Sequence, residues 1–256
     1  MTKKPIVYVD LDGTLSPSDV LLESCLLLLK KNIFYVFPML WWALQGGWVF
    51  KTQVARRIDP VLDFLPIDAT VLERLNQLKS AGHVLVLASA SVYRDVQKVA
   101  ARLGLFDRII ASQDSNLKGL RKLQAIRADS HGQPFVYFGD SVVDIPVWKQ
   151  AAVAFGVNTS AGTRAKAAAA GVSLNRIDSN RGGFKVWLKA MRLQQWAKNG
   201  LLFLPLIAAH ELNPVLWLTM LWGFVAFGLV ASATYIWNDL MDLNADRQHP
   251  RKRLFG

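Results

Sequence analysis

Short apolar runs alternate with segments of helical periodicity through the first two thirds of the chain. Five runs are continuous enough to be strands buried on both faces: Ile6–Val9, 83–88, 108–110, 135–138 and Val153–Val157. The segments between them, which include Ala69–Ser80, 94–103 and 120–128, have the apolar spacing of helices. This alternation predicts an α/β fold with a parallel sheet, in which a ligand site lies at the carboxyl ends of the strands.

The pattern changes near residue 180. Residues 173–186 are rich in small and polar side chains and predict a linker. Two apolar stretches follow it, at about 196–210 and 215–237. The second holds 23 residues without a charge, enough to cross a hydrocarbon layer about 30 Å thick. Together the two stretches predict an all-α transmembrane hairpin that follows an α/β domain over residues 1–172.

Basic residues set the predicted orientation of this hairpin. Lys and Arg side chains lie before and after it, and none lies between Asn199 and Asp246. Because cytoplasmic segments next to membrane spans are enriched in positive charge, we expect both ends of the chain and the α/β domain in the cytoplasm. The turn at Glu211 then lies on the side of the membrane opposite the cytoplasm. We therefore predict a multi-pass membrane protein.

One apolar and aromatic segment, residues 33–50, interrupts the α/β pattern. Its 18 residues meet the lower limit for a membrane span. A span would place the strands before and after it on opposite sides of the membrane, whereas they must share one sheet. We therefore expect a helical cap within about residues 18–70, and the sequence leaves open whether this segment also lies on the bilayer surface with its aromatic side chains at the interface.

Composition narrows the choice of partner. The 256 residues are 52% hydrophobic, which excludes a disordered chain, and the single cysteine, Cys25, excludes a disulfide framework. The formal net charge of +11 favours an anionic partner: a nucleic acid, a lipid surface or a phosphorylated substrate. No nucleic-acid recognition motif accompanies the charge. We therefore expect membrane lipids and a phosphorylated small molecule or lipid phosphate, and no nucleic acid.

The strongest chemical signal is Asp10-Leu11-Asp12-Gly13-Thr14, directly after the first strand. Two carboxylates at a strand end can face one site, where one attacks a phosphorus atom and the other handles the proton of the leaving group. Gly13 permits a tight turn, and Thr14 is expected to help orient Asp10. An ordinary acidic loop is the alternative interpretation of these residues alone.

Further polar residues follow the later strands. Ser89, after the second strand, can bind a phosphoryl oxygen, and Lys122, near the start of a helix, can neutralise the attacking carboxylate. Asp140 and Asp144 follow the strand at 135–138 and supply the hard oxygen ligands that suit Mg²⁺. Each has an ordinary structural interpretation by itself, but their order at successive strand ends favours one shared site.

In this order the residues resemble the four motifs of the haloacid dehalogenase-like (HAD) phosphatases, over about residues 5–160. The resemblance implies a Rossmann-like parallel sheet of that type with a helical cap. It also implies that Asp10 is the nucleophile that forms an aspartyl-phosphate, Asp12 the general acid and base, and Ser89 the phosphate-binding hydroxyl.

The third and fourth motifs complete the resemblance. The third motif implies Lys122 as the catalytic lysine, and Lys118 is the alternative. The implied Mg²⁺ ligands are Asp10, Asp12 through its backbone carbonyl, Asp140 and Asp144. The predicted function is a Mg²⁺-dependent phosphomonoester hydrolase. A non-catalytic binding or assembly module that keeps these motifs is the alternative.

A second acidic group lies at the end of the second apolar stretch. Asp239, Asp242 and Asp246 are spaced three and four residues apart, so one helical face carries all three carboxylates. At the end of a membrane helix such a group either holds Mg²⁺ against a pyrophosphate or is a solvated helix end. Spacing alone leaves both interpretations open.

Residues 187–253 resemble the UbiA-type membrane prenyltransferases, and most of all the branch that transfers phosphoribosyl to a polyprenyl phosphate. The resemblance implies a pyrophosphate and Mg²⁺ motif formed by Asn238, Asp239, Asp242 and Asp246, with Lys198 and Arg247 as phosphate partners. That family has further spans and a second aspartate-rich motif. We therefore expect residues 187–256 to be the truncated beginning of such a domain within a longer protein.

Overall fold

The structure is a computed structural model that describes residues 4–179 and 184–248. The chain divides into two compact units, Met1–Ser179 and Asn180–Gly256. The strands of the first unit are β1 (Ile6–Val9), β2 (Leu85–Val92), β3 (Arg108–Ser112), β4 (Phe135–Gly139), β5 (Val153–Val157) and β6 (Leu174–Ile177). Its α-helices are α1 (Val20–Lys31), α2 (Val36–Leu44), α3 (Gly47–Ala55), α4 (Ala69–Ser80), α5 (Tyr93–Leu103), α6 (Leu120–Ser130), α7 (Ile145–Trp148) and α8 (Ala161–Ala169).

The six strands form one parallel sheet in the order β3-β2-β1-β4-β5-β6. Alternate residues of a strand face opposite sides of the sheet. Val7 and Val9 of β1 pack in one buried cluster with α4 and α5, whereas Tyr8 packs in another with α6, α7 and α8. Because helices cover both faces, the central strands are continuously apolar, which confirms the predicted parallel α/β sheet.

Three helices between β1 and β2, α1 to α3, share a buried cluster of their own and occupy the region predicted to be the cap, the name used for them below. The Asp19 side chain accepts hydrogen bonds from the first turn of α1 and so begins that helix. Cys25 and Leu28 of α1, Trp42 of α2 and Val54 of α3 form the buried centre of the cap. Residues 33–50 form a short 3-10 helix, then α2, then the first four residues of α3, with a break at Gln45 and Gly46. This segment is therefore bent and helical, and it is not one continuous span.

Two elements of the sheet differ from the prediction. β2 runs to Val92, past the predicted end at residue 88, with a register shift against β3 between Ala88 and Val92. Residues 174–177, expected to begin the linker, form β6, which pairs with β5. Asn175 and Arg176 of β6 are exposed, so this edge strand lacks the apolar pattern of a buried strand.

The second unit contains one long apolar helix. Its elements are α9 (Phe184–Ala190), a 3-10 helix (Leu193–Phe203), α10 (Leu204–Ala208) and α11 (Pro214–Gln248). Within the described part of the chain, Pro214–Asp242 of α11 is the one helix long and apolar enough to cross a membrane. The predicted first span at about 196–210 is not a continuous α-helix. Pro205, which lacks a backbone N–H, lies in the first turn of α10, where a new helix begins.

The 3-10 helix of this unit packs tightly on α11. A Cβ atom at Gly228 would lie 2.6 Å from the Trp196 ring, so only glycine permits this approach. Trp196 Nε1 donates a hydrogen bond of 3.0 Å to Ser232 Oγ, which donates in turn to the Met191 carbonyl at 2.6 Å. These contacts hold the short helices of the unit against α11.

Candidate active site

The loop after β1 brings Asp10 to the carboxyl edge of the sheet. Asp10 N donates to the Phe138 carbonyl of β4 at 3.0 Å, which extends the strand pairing by one residue. Gly13 has a φ of +78°, and a Cβ atom there would lie 2.3 Å from Asp140 Oδ2. Glycine is therefore required both for the backbone conformation and for the close approach of the two loops.

Lys122 is the lysine that contacts the predicted nucleophile. Its Nζ lies 2.8 Å from Asp10 Oδ2 and 3.6 Å from Asp144 Oδ1, and it donates to the Tyr137 hydroxyl at 3.1 Å. Tyr137 donates in turn to Asp144 Oδ1 at 2.7 Å. Lys122 and Asp144 are almost fully buried. Of the two lysines considered from the sequence, Lys122 makes the ion pair expected of the third motif, and Lys118 lies exposed at the rim of the pocket.

The charges of this network depend on one another. Burial raises the pKa of Asp10 to about 7, and the nearby Lys122 opposes that rise. Burial alone would lower the pKa of Lys122, but the carboxylates of Asp10 and Asp144 raise it above its usual value. Lys122 therefore stays protonated at neutral pH. A further cation beside Asp10 would lower the pKa of that carboxyl group and favour its ionised form.

Three carboxylates are close enough to hold one metal ion. Oxygen atoms of Asp10, Asp140 and Asp144 all lie within 4.8 Å of one another. Asp144 Oδ2 accepts hydrogen bonds of 3.2 Å from the backbone N–H groups of Asp140 and Ser141 and from the Ser141 hydroxyl, which orient it. Carboxylate oxygens in this number suit a hard divalent cation such as Mg²⁺. The carboxylate of Asp12 is not part of this group.

Asp12 instead points towards the end of β2 and the cap. Its Oδ1 accepts from Val20 N at 2.9 Å, and its Oδ2 accepts from the Ser91 hydroxyl at 2.5 Å. Ser89 Oγ lies 3.5 Å from the same Oδ2. Burial raises the pKa of Asp12, the charge of Asp19 raises it further, and the hydrogen bond from Ser91 opposes both. A carboxyl group with a raised pKa suits a residue that gives and takes a proton near neutral pH.

Two polar residues depart from their expected roles. Ser89 lies inside β2, almost fully buried, whereas Ser91 lines the pocket. Sequence reasoning missed Ser91, although the alternating Ser89-Ala90-Ser91 carried the signal of a second hydroxyl. The Thr14 hydroxyl is buried and forms no hydrogen bond within the described part of the chain, so it does not orient Asp10 as predicted.

The pocket over these residues has a volume of about 320 Å³, and residues of the cap, including Leu21 and Lys51, form part of its lining. Lys51 of α3 reaches into it from the cap, and its Nζ donates to the Ala90 carbonyl at 2.9 Å. Burial lowers the pKa of Lys51, and the positive charge of Lys118 lowers it further. Two lysines, the buried Lys51 and the exposed Lys118, therefore line the same pocket, and sequence reasoning did not bring them together.

The acidic group of the second unit has a basic partner that was not predicted. Asp239 forms a two-pronged ion pair with Arg192 Nη2, at 2.8 Å and 2.9 Å, and the Arg192 guanidinium lies 5.0 Å from the centre of the Tyr235 ring. Asn238 and Asp242 lie on the same helix, α11. Lys198 is exposed on the 3-10 helix. The side chains of Asp246 and Arg247 lie outside the described residues.

Relatives of known sequence match this chain over very different lengths. The uncharacterized protein y4nM of Sinorhizobium fredii is 36% identical over 98% of this chain. Decaprenyl-phosphate phosphoribosyltransferase of Mycobacterium tuberculosis is 42% identical over 72 residues, which are 26% of this chain. The chain spans 49% of the length of the first relative and 24% of the second.

The fold of the first unit has known relatives as well. A HAD-family hydrolase from Salmonella enterica serovar Typhi has a similar structure, with a TM-score of 0.53 and 15% sequence identity over 73% of this chain and 71% of that one. The family model for haloacid dehalogenase-like hydrolases matches residues 7–149, more than half of the chain. That match covers Asp10, Lys122 and all three clustered carboxylates, so the chain belongs to the haloacid dehalogenase-like hydrolase family.

Proposed function

We propose that the first unit is a phosphomonoester hydrolase that works through an aspartyl-phosphate. The observation that carries this proposal is the ion pair of 2.8 Å between Asp10 Oδ2 and Lys122 Nζ, at the edge of a three-carboxylate group. A carboxylate held at a strand end beside a buried cation can attack an electrophilic phosphorus atom, because the lysine offsets the negative charge that the nucleophile and the phosphoryl group share.

The reaction proceeds in two displacements. An oxygen of Asp10 forms a bond to phosphorus, and the bond between phosphorus and the leaving oxygen breaks. Asp12 gives its proton to that oxygen, so the alcohol leaves neutral. Asp12, now a carboxylate, accepts a proton from a water molecule that attacks the aspartyl-phosphate. Inorganic phosphate is released and Asp10 is regenerated.

Mg²⁺ is the cation that we propose for the acidic group. Asp10, Asp140 and Asp144 would hold it, with the backbone carbonyl of Asp12 as a further oxygen ligand. When bound, it supplies positive charge that offsets the charge of the transferring phosphoryl group. The residues of the chain fit such an ion because the donors are hard oxygens. Burial raises the pKa of Asp10, and a bound cation would favour its ionised form.

The hydroxyls and lysines around the pocket would bind the substrate. Ser89 was the expected phosphate ligand, and we add Ser91 because it lines the pocket. Lys51 and Lys118, which line the pocket, favour an anionic substrate, either a phosphorylated small molecule or a lipid phosphate. A substrate whose leaving group is uncharged would be bound less strongly by these lysines than one whose leaving group is also anionic.

Hydrolysis of an aryl phosphate by the full chain in detergent tests this function. We expect Mg²⁺-dependent release of phosphate, loss of activity with EDTA, and a loss of at least about a thousandfold in Asp10→Asn, since the nucleophile is removed. Asp178→Asn is the matched control, because Asp178 is an exposed acid paired with Arg176 away from the pocket. Equal rates for the wild type and Asp10→Asn contradict the proposal and favour a non-catalytic binding module.

For the second unit we propose the opening segment of a UbiA-type membrane prenyltransferase domain. Support comes from the partial relatives that are decaprenyl-phosphate phosphoribosyltransferases and from the length and apolar character of α11. Asn238, Asp239, Asp242 and Asp246 would bind Mg²⁺ and a pyrophosphate donor, with Lys198 and Arg247 on the phosphates. Transfer of a prenyl or phosphoribosyl group to a lipid acceptor would be an activity of a longer protein.

The proposed topology places both ends of the chain in the cytoplasm and Glu211 outside. Insertion of an alkaline phosphatase reporter after Glu211 tests this arrangement, since that reporter is active only outside the cytoplasm. We expect activity there and none for a reporter placed before Lys4. Activity at both sites or at neither contradicts a multi-pass hairpin, and α11 would then need a different orientation.

A further inference from the structure

The cap presents a continuous apolar stripe to solvent. Its six large side chains are each 51–83% exposed. They are Ile33, Phe34, Phe37, Leu40, Trp41 and Leu44. Their spacing of one, three and four residues places them on one face of the short 3-10 helix and α2. Soluble proteins seldom leave so many large apolar side chains on one face unless the face binds something.

The opposite face of α2 is already occupied. Trp42 is buried in the centre of the cap, and Tyr35 and Met39 pack against the same centre. The helix is therefore apolar on both faces, with one face in the cap and the other in solvent. The exposed stripe contributes nothing to the cap core, so packing of the cap does not explain it.

The charged residues in the sequence on either side of the stripe have one sign. Residues 24–57 contain no Asp or Glu and five basic residues. These are Lys30, Lys31, Lys51, Arg56 and Arg57, of which Lys51 reaches into the pocket and not to the stripe. Lys30 and Lys31 directly precede the stripe in the last turn of α1. An apolar and aromatic face beside cations is complementary to a surface with acyl chains below and anionic headgroups above.

We propose that this stripe docks on the surface of an anionic bilayer, with the exposed side chains of α2 in the acyl region and Lys30 and Lys31 at the headgroups. The helix lies in the plane of the membrane and does not cross it, since α2 has 9 residues and is followed by a break at Gly46. The same chain carries α11, which is long and apolar enough to cross a membrane. A lipid surface is therefore a better match than a second copy of the cap, whose basic residues would repel these.

Site-directed spin labelling of the full chain in lipid vesicles tests the docking. In a Cys25→Ser background, single cysteines at Phe37, Trp41 and Leu44 carry a nitroxide, one at a time. Leu120, an exposed leucine at the start of α6, is the matched control. Collision rates with oxygen, which enriches in the acyl region, are compared with those of a water-soluble nickel chelate.

In vesicles that contain phosphatidylglycerol, we expect the three stripe labels to collide more with oxygen than with the chelate, and the label at Leu120 to show the reverse. Free access of the chelate to the stripe labels would overturn the proposal. So would protection from both reagents together with a defined distance between labels on two chains, which would assign the stripe to a second copy. Equal immersion in vesicles of phosphatidylcholine alone would overturn the role of the basic residues. Phosphatase activity does not enter this measurement, so its outcome is independent of the proposed function.

Discussion

Ser91 Oγ donates a hydrogen bond of 2.5 Å to Asp12 Oδ2, while Val20 N donates to Asp12 Oδ1. One partner is at the end of a sheet strand and the other begins the first helix of the cap. The carboxyl group proposed to move the proton is thus held between the two parts of the site. Its orientation depends on the hydroxyl of Ser91, which the family resemblance did not assign.

Replacement of Ser91 by alanine should therefore slow turnover without removing the nucleophile. A hydrogen bond to a charged group contributes about 1.5–3 kcal/mol, so we expect kcat to fall by about 10- to 100-fold. The hydrogen bond lowers the pKa of Asp12. Its loss raises that pKa, and the deprotonated form that activates water is reached at higher pH. The acidic limb of the pH profile of kcat should therefore shift to higher pH.

The matched control is Ser130→Ala. Ser130 is also buried, but its hydroxyl donates to the Arg127 carbonyl at the end of α6, away from the pocket. We expect this variant to keep the pH profile of the wild type. An unchanged profile in Ser91→Ala would show that the hydroxyl does not act through Asp12.

Lys122 and Lys118 should differ sharply when each is replaced by methionine. Lys122→Met leaves the carboxylates of Asp10 and Asp144 without their buried cation, and we expect a loss of about a hundredfold to a thousandfold or more in kcat. Lys118 is exposed at the rim, so Lys118→Met should change kcat less than about tenfold and act mainly on KM. Steady-state kinetics with an aryl phosphate measures both, and the reverse order of effects would assign catalysis to Lys118.

Buried strands were predictable from the sequence because their residues form continuous apolar runs. The apolar runs of β1, β4 and β5 predicted the sheet because helices cover both of its faces. Asp10 and Asp140 follow two of these strands directly, so their meeting at one edge followed from the parallel sheet. β6 was missed because it is an exposed edge strand with polar residues. Its pairing with β5 is visible only in the fold.

Roles that depend on contacts between distant segments were not predictable. Tyr137 was placed only as an apolar strand residue, and its hydroxyl gains a role because α6 brings Lys122 next to it. Lys51 lies 39 residues before Ala90, and the two are in contact only because α3 of the cap packs next to β2. The predicted first span is not one continuous α-helix for a local reason, because a 3-10 helix ends and α10 begins next to Pro205.

Tyr137→Phe should weaken metal binding more than it weakens the fold. The Tyr137 hydroxyl orients Asp144 Oδ1, and partners of this kind change metal affinity by about 10- to 100-fold. We expect the Mg²⁺ concentration for half-maximal activity to rise by that factor, with kcat nearly unchanged at saturating Mg²⁺. Titration of activity with Mg²⁺ measures the shift.

Tyr8→Phe is the control for that experiment. Tyr8 is the neighbour of Tyr137 in the pairing of β1 with β4, and it is equally buried. Its hydroxyl donates to Asp129 Oδ2 at 2.7 Å, outside the pocket. An equal rise in the Mg²⁺ requirement of both variants would indicate a general effect on the sheet and contradict the role of Tyr137.

The single cysteine reports on the folding of the cap. Burial raises the pKa of the Cys25 thiol to about 11, and the charge of Asp19 contributes to the rise. The thiolate is the reactive form, and it predominates only above the pKa. At pH 8 the thiolate fraction of Cys25 is therefore about two-hundredfold lower than that of a free cysteine. We expect the native chain to react with iodoacetamide at least about two-hundredfold more slowly than a free cysteine does. In guanidinium chloride we expect the reaction to be fast. Rapid alkylation under native conditions would mean that the centre of the cap, where Cys25 packs with Leu28 and Trp42, opens readily to solvent.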